Sequence, residues 1–164
     1  MGYFSSFPLV RLNDGSLGIN ITARNKILST YKDNKSAFYE HSIVDGETPE
    51  IIADKFYDDV ELAWIILIFN DIHNIYKEWP VDQETLQQYI DEKYDNPFGV
   101  HHYVSIATGN IVGEDHVSYD RMPVTNTDYE IEENDLKRTV KLVLPELVGQ
   151  IVSQHKELMS RNFF

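Results

Sequence analysis

The most constraining feature of the sequence is the run Val60–Phe69, in which nine of ten residues are apolar and Glu61 is the exception. A helix needs about 18 apolar residues to cross a bilayer, so this run is too short to be a membrane span. Periodicity alone does not separate a buried helix from a buried strand here. The length, the Leu and Ala content and the entry carboxylates Asp58 and Asp59 favour a helix, ended by Asn70-Asp71. Such a helix must be covered on more than one side. The 164 residues amount to roughly one domain's length of chain with which to cover it.

The flanking segments predict how. Phe38–Val44 is a β-prone strand ended by the turn Asp45-Gly46. Thr48 suits an N-cap and Pro49 the first helical position, with Ile52 and Phe56 on one helix face. Ile75–Trp79 reads as a short strand stopped by Pro80, and Asp82 caps a helix over 83–94. His101–Ile106 is a strand, turned at Thr108-Gly109-Asn110, and Ile111–Gly113 starts the return. Residues 114–135 are polar and acidic and read as a long loop that orders poorly. Lys137–Leu144 alternates as a strand, and Pro145 opens a final helix over Glu146–Met159. Upstream, Asn13-Asp14-Gly15-Ser16 marks a hairpin tip, and Leu17, Ile19 and Ile21 predict a strand with one buried face. The fold class is α+β. Its segments are an arm with short strands at 1–36, a core with its following helix at 37–94, a strand and acidic loop at 95–135, and a strand and helix at 136–164.

Lys and Arg number 14 against 27 Asp and Glu, a formal charge of −13. A surface this acidic repels phosphate backbones and anionic membranes, so neither nucleic acid nor membrane is an expected partner. With no cysteine, disulfides, thiolate catalysis and Cys-type metal sites are excluded. The segment Met1–Ser6 lacks a basic region and an extended apolar core, so it does not read as a secretory signal. The paired carboxylates Asp58-Asp59, Asp91-Glu92 and Glu132-Glu133 are adjacent in sequence, which does not supply the convergence across a cleft that acid catalysis needs. No nucleophile elbow, phosphate loop or dinucleotide motif occurs. His101-His102 on an extended strand would point to opposite faces, and no metal-ligand spacing accompanies them. No cofactor and no metal are predicted.

Between Tyr39 and Pro80 the order of strand, two helices and strand resembles a LysM domain. The likeness is carried by Asp45-Gly46-Glu47-Thr48, then Ile52-Ala53, and Asn70 after the second helix. A wider set of residues resembles the LysM-like baseplate wedge subunit of contractile-tailed, T4-like phages, the gene-fifty-three family. These are Tyr3-Phe4, Phe7-Pro8, Gly46-Glu47-Thr48-Pro49, Leu62-Ala63-Trp64, Glu78-Trp79-Pro80, Tyr89-Ile90, His101-His102-Tyr103 and the strand before Pro145. That resemblance implies a structural, non-enzymatic subunit of the virion tail, made in the host cytoplasm. It implies multiple copies in a six-fold assembly, joining wedge and hub proteins into a ring around the hub. The alternative is a LysM-type module binding glycan at the turn Gly46, Glu47, Thr48 and Pro49.

The candidate partner-binding residues are Tyr3, Phe4, Phe7, Pro8, Trp79, Phe163 and Phe164. Trp64, inside the apolar run, belongs to the core, whereas Trp79 beside Glu78 and Pro80 suits a surface anchor. Pro8 prevents an amphipathic helix that could pack the aromatic arm, which either docks on a partner or folds back on its own domain. The expectation taken here is that residues 1–12 and the Phe163-Phe164 end bury against other subunits.

Overall fold

The structure is a computed structural model that describes residues 3–20 and 29–161. Ile21, Phe163 and Phe164 lie outside the described residues. The chain opens with a 3-10 turn, Tyr3–Ser6, then β1 (Leu9–Arg11) and β2 (Leu17–Ile19). It continues through α1 (Ser29–Lys32), β3 (Phe38–Ser42), α2 (Pro49–Tyr57), α3 (Ala63–Phe69) and α4 (Ile75–Glu78). Next come α5 (Gln83–Lys93), β4 (Val100–Ser105), β5 (Ile111–Val112), β6 (Arg121–Thr125) and α6 (Asn126–Asp135). Then follow β7 (Thr139–Val143) and α7 (Pro145–Arg161). Helix and sheet are mixed, as the α+β reading requires.

These elements form two compact units. The first takes the chain up to Ile43, Glu47–Glu78 and the chain from Thr139 onward; the second takes Val44–Gly46 and Trp79–Arg138.

In the first unit β3 and β7 pair antiparallel, Phe38 opposite Val143 and Ser42 opposite Thr139. The helices between them start and stop where their side chains demand. The Thr48 hydroxyl accepts from the Ile51 N–H at 3.3 Å, and Pro49 takes the first helical position of α2. Asp58 closes α2 with φ at +53°, a left-handed conformation that Asp tolerates better than most residues. Asp59 then accepts from the Glu61 N–H at 2.9 Å and sets a 3-10 turn, Val60–Leu62, leading into α3. The apolar run therefore does build a helix. Leu62, Trp64, Ile65 and Phe69 form one buried cluster with Val143 of β7 and Val148 and Ile151 of α7. Each large side chain so buried stabilises the unit by about 1.5–3 kcal/mol.

Asn70 ties α3 to the sheet. Its Nδ2 donates to the Lys141 carbonyl at 2.9 Å and its Oδ1 accepts from the Lys141 N–H at 2.8 Å. The amide thus bonds β7 as a strand would, while Nδ2 also donates to the Ile66 carbonyl at 2.8 Å.

Two predicted elements are corrected. Ile75–Trp79 is not a strand: Ile75–Glu78 is a helical turn. Asn74 Oδ1 accepts from the Tyr76 N–H at 3.1 Å, and the Glu78 carboxylate accepts from the N–H groups of His73 and Asn74 at 2.6 and 2.9 Å. These local bonds coil the backbone, and the strand that pairs with β3 comes from Thr139–Val143 instead. Residues 114–135 are not one loop either. Arg121–Thr125 pairs with β4, and Asn126–Asp135 is helical behind a capping box of Thr125 and Asp128.

The second unit holds the three-stranded antiparallel sheet β5-β4-β6 with α5 and α6. Its buried apolar residues are few, with Trp79, Leu86 and Ile90 the large ones. Polar groups do much of the interior work. Glu130 accepts from Lys93 Nζ and from the Tyr94 hydroxyl, both at 2.7 Å. Burial pushes the Glu130 carboxyl up, but Lys93 and Tyr94 outweigh this and hold it below the usual range. Asn134, also buried, accepts from the Val81 N–H at 2.9 Å and donates to the Val81 carbonyl at 3.0 Å. Arg138 reaches Asp45 and Asp135, each at 2.8 Å.

Candidate partner-binding surfaces

The aromatic arm packs on its own unit. The 3-10 turn brings the rings of Tyr3, Phe4 and Phe7 to within 4.7–5.1 Å of one another. Tyr3 lies 5.4 Å from Trp64 and stacks on His155 at 5.2 Å. Phe7, Pro8 and His155 are buried. The His155 Nε2–H donates to the Tyr3 carbonyl at 3.2 Å, and burial pushes the imidazole pKa down. Burial of residues 1–12 against other subunits is therefore not what the structure has for Tyr3, Phe7 and Pro8. A tight turn gathers the rings without needing an amphipathic helix, and α3 and α7 supply the surface that covers them. Phe4 remains 53% exposed.

Beyond Pro8 the chain turns outward. In the hairpin Leu9 pairs with Ile19, Val10 with Gly18 and Arg11 with Leu17. Its tip is set by Asp14, whose carboxylate accepts from the Ser16 N–H at 2.9 Å and the Ser16 hydroxyl at 2.7 Å. Those bonds hold the Asp14 pKa below its ordinary value. Gly15 supplies the left-handed φ of +83° that the tip needs. Leu9, Ile19 and Leu17 share one face, and Leu12 lies across Gly18, where a Cβ would meet it at 3.3 Å. The buried face predicted for Leu17 and Ile19 is absent: they are 65% and 50% exposed, and Leu9, Val10 and Leu12 are exposed too. A strand of three residues has too little surface to cover both of its faces. Alternation was read correctly as strand, but it does not say whether anything lies opposite.

Trp79 is 7% exposed and so is no surface anchor. The second unit, poor in large apolar residues, uses it inside. At the turn, Gly46 has φ at +79°. Glu47 is committed to His41 Nε2 at 2.9 Å and Lys55 Nζ at 2.7 Å, Thr48 caps α2, and Pro49 is buried.

The histidine pair also departs from the sequence reading. A bulge between Val100 and His102 breaks the alternation of β4. His101 Nδ1 and His102 Nδ1 come within 2.9 Å, and His101 stacks on Tyr129 at 3.9 Å. Among the described residues no group of three His, Asp or Glu is placed to hold a metal ion. No helix among them is long and apolar enough to cross a membrane.

A search of curated proteins finds no match to the chain. Residues 12–140, most of its length, match the family described as "Base plate wedge protein 53". The match takes in the hairpin's second strand, the apolar helix and the acidic second unit together, and the chain belongs to this family of phage baseplate wedge proteins.

Proposed function

We propose that the chain is a structural subunit of the virion tail that joins neighbouring wedge components into the ring around the tail hub. Multiple copies in a six-fold arrangement fit that task, because repetition of one contact closes a ring. The LysM-like reading of Tyr39–Pro80 rests on Asp45-Gly46-Glu47-Thr48, Ile52-Ala53 and Asn70; its expected second strand, Ile75–Trp79, is a helical turn over Ile75–Glu78.

The observation that carries the proposal is the hairpin. Leu9, Val10, Leu12, Leu17 and Ile19 are all exposed on a two-stranded sheet. Exposed aliphatics on a sheet of two strands among the described residues suit strand addition, in which main-chain hydrogen bonds and apolar side chains dock together. The aromatic arm holds the base of this hairpin: the Asn20 N–H donates to the Pro8 carbonyl at 2.8 Å, and Pro8 follows the ring cluster directly.

The test is the double variant Leu17→Asp/Ile19→Asp in the full chain, added to an infection that lacks the native protein. It keeps its melting temperature, since both side chains are in water, and fails to enter baseplates. Incorporation at the native level would refute the hairpin's role.

A further inference from the structure

A second apolar face lies on the sheet of the acidic unit. Val104 of β4 stands opposite Ile111 on one side and Met122 on the other, and His102 stands opposite Val124. Paired residues of antiparallel strands share a face, as do residues two apart along a strand. Val104, Ile111, Met122 and Val124 therefore form one apolar patch. Ile111 is 74% exposed and Met122 51%, and Ile106, two residues past Val104, is 64% exposed. The opposite face is different. There the Arg121 guanidinium lies 4.5 Å from the Tyr103 ring, and buried Ser105 donates to Asp120 at 2.8 Å. The Tyr103 face, which also carries Val112 and Pro123, has its polar groups internally paired, whereas the Val104 face, with His102 among its aliphatics, shows Ile111 and Met122 to solvent.

Charge says what fits on the open face. The second unit carries 14 of the 27 carboxylates but 4 of the 14 Lys and Arg residues, a balance of −10 out of −13. A second copy of the chain, a nucleic acid or an anionic lipid surface is repelled by that field. We propose that this sheet face docks a basic protein segment, one that sets aliphatic side chains against Ile111 and Met122 and flanks them with Lys or Arg. The apolar contact supplies affinity, and the field steers the approach and rejects acidic competitors. The inference rests on the baseplate reading only for where the partner is found. The face itself is distinct from the hairpin, which belongs to the first unit.

The first measurement needs no baseplate. A synthetic peptide of alternating Lys and Leu is titrated into the full-length protein by fluorescence anisotropy, beside its Glu–Leu counterpart. The Lys–Leu peptide binds, more weakly as salt rises, and binds Ile111→Ser/Met122→Ser about tenfold less tightly or worse. The Glu–Leu peptide does not bind. Equal binding by variant and native protein overturns the proposal, because charge alone then accounts for it. The second measurement places a photo-crosslinking residue at Ile111 in assembled baseplates. An adduct with a Lys- or Arg-rich segment of another protein supports the proposal. An adduct with a second copy or an acidic segment, or no adduct, overturns it. If the peptide result holds while the chain is absent from baseplates, the baseplate reading alone fails.

Discussion

Replacing Asn70 tests whether a single side-chain amide joins the apolar helix to the sheet. Three hydrogen bonds converge on it, to the Ile66 carbonyl at 2.8 Å and to the Lys141 carbonyl and N–H at 2.9 and 2.8 Å. At about 0.5–1.5 kcal/mol net for each bond, their loss sums to roughly 1.5–4.5 kcal/mol. Lys141 is exposed and Asn70 half-buried, so water replaces part of what is lost, and Asn70→Ala should cost about 2–3 kcal/mol. Asn70→Asp sharpens the test. It keeps an acceptor for the Lys141 N–H but turns a carboxylate oxygen toward the carbonyls of Ile66 and Lys141, to which Nδ2 donated. Its cost at neutral pH should equal or exceed that of the alanine variant.

The sign of its pH dependence is fixed. The introduced carboxyl has a folded-state pKa raised above its unfolded value of about 3.9, so the folded state binds the proton first. Relative to the native protein, the variant should recover stability as pH falls from neutral toward the unfolded value. Urea unfolding followed by fluorescence reads this cleanly. The chain has two tryptophans, Trp64 in the first unit and Trp79 in the second, so a Trp79→Phe background leaves Trp64 as the reporter. A loss of 2 kcal/mol lowers the urea midpoint by roughly 1 M or more. If both variants stay within about 0.5 kcal/mol of the native protein at pH 7, the bridge does not hold the helix to the sheet.

Asn134→Leu should destabilise the second unit by about 2–5 kcal/mol, because the paired Val81 N–H and carbonyl are left without partners at a buried site; Trp79 fluorescence in a Trp64→Phe background reports it. His155, with its pKa lowered by burial, contributes stability that is full above its unfolded value of about 6.5 and is lost as pH falls through the lower folded value. Between pH 7.5 and 5 the native melting temperature should therefore drop more steeply than that of His155→Phe, as calorimetric scans will show. Chitin oligosaccharides should give no heat on titration into the protein, because Glu47 and Thr48 already have partners within the fold; sub-millimolar binding at that turn would contradict this.

Local chemistry was the legible part of this chain. Thr48-Pro49, Asp58, Asp82, Asn13–Ser16 and Pro145 each act where the sequence places them, because caps and turns involve neighbours within a few residues. Pairing was not legible. Phe38–Ser42 joins Thr139–Val143, which comes after the second unit in the sequence, and the nearer Ile75–Trp79 was the natural but wrong candidate. The helix over Asn126–Asp135 escaped notice because its buried residues are Glu130 and Asn134. An apolar period cannot see polar residues that are buried because they are bonded. The signal that could have found it is Thr125 with Asp128 three residues on, a capping box with Asp in place of Glu. Of the candidate partner residues, Phe4 is exposed, while Phe7, Pro8 and Trp79 are inside. Aromatic residues serve cores and interfaces alike, and only their packing tells the two apart.

The same polar interior bears on why aliphatic side chains end up on the surface of an acidic unit. Where Glu130, Lys93 and Tyr94 bond to one another, and Asn134 holds the backbone of Val81, each group meets a partner that water would otherwise supply. Such contacts specify an arrangement through geometry, so the unit needs fewer large apolar residues to define its fold. Ile106, Ile111 and Met122 are then not required for its interior, and the sheet shows them to solvent instead. Left in water they cost free energy that no contact within the described chain offsets. The unit's formal charge of −10 disfavours association of like copies and suits the basic segment proposed to cover them. On the proposed docking, one distribution of side chains would serve both to keep copies apart and to select the partner.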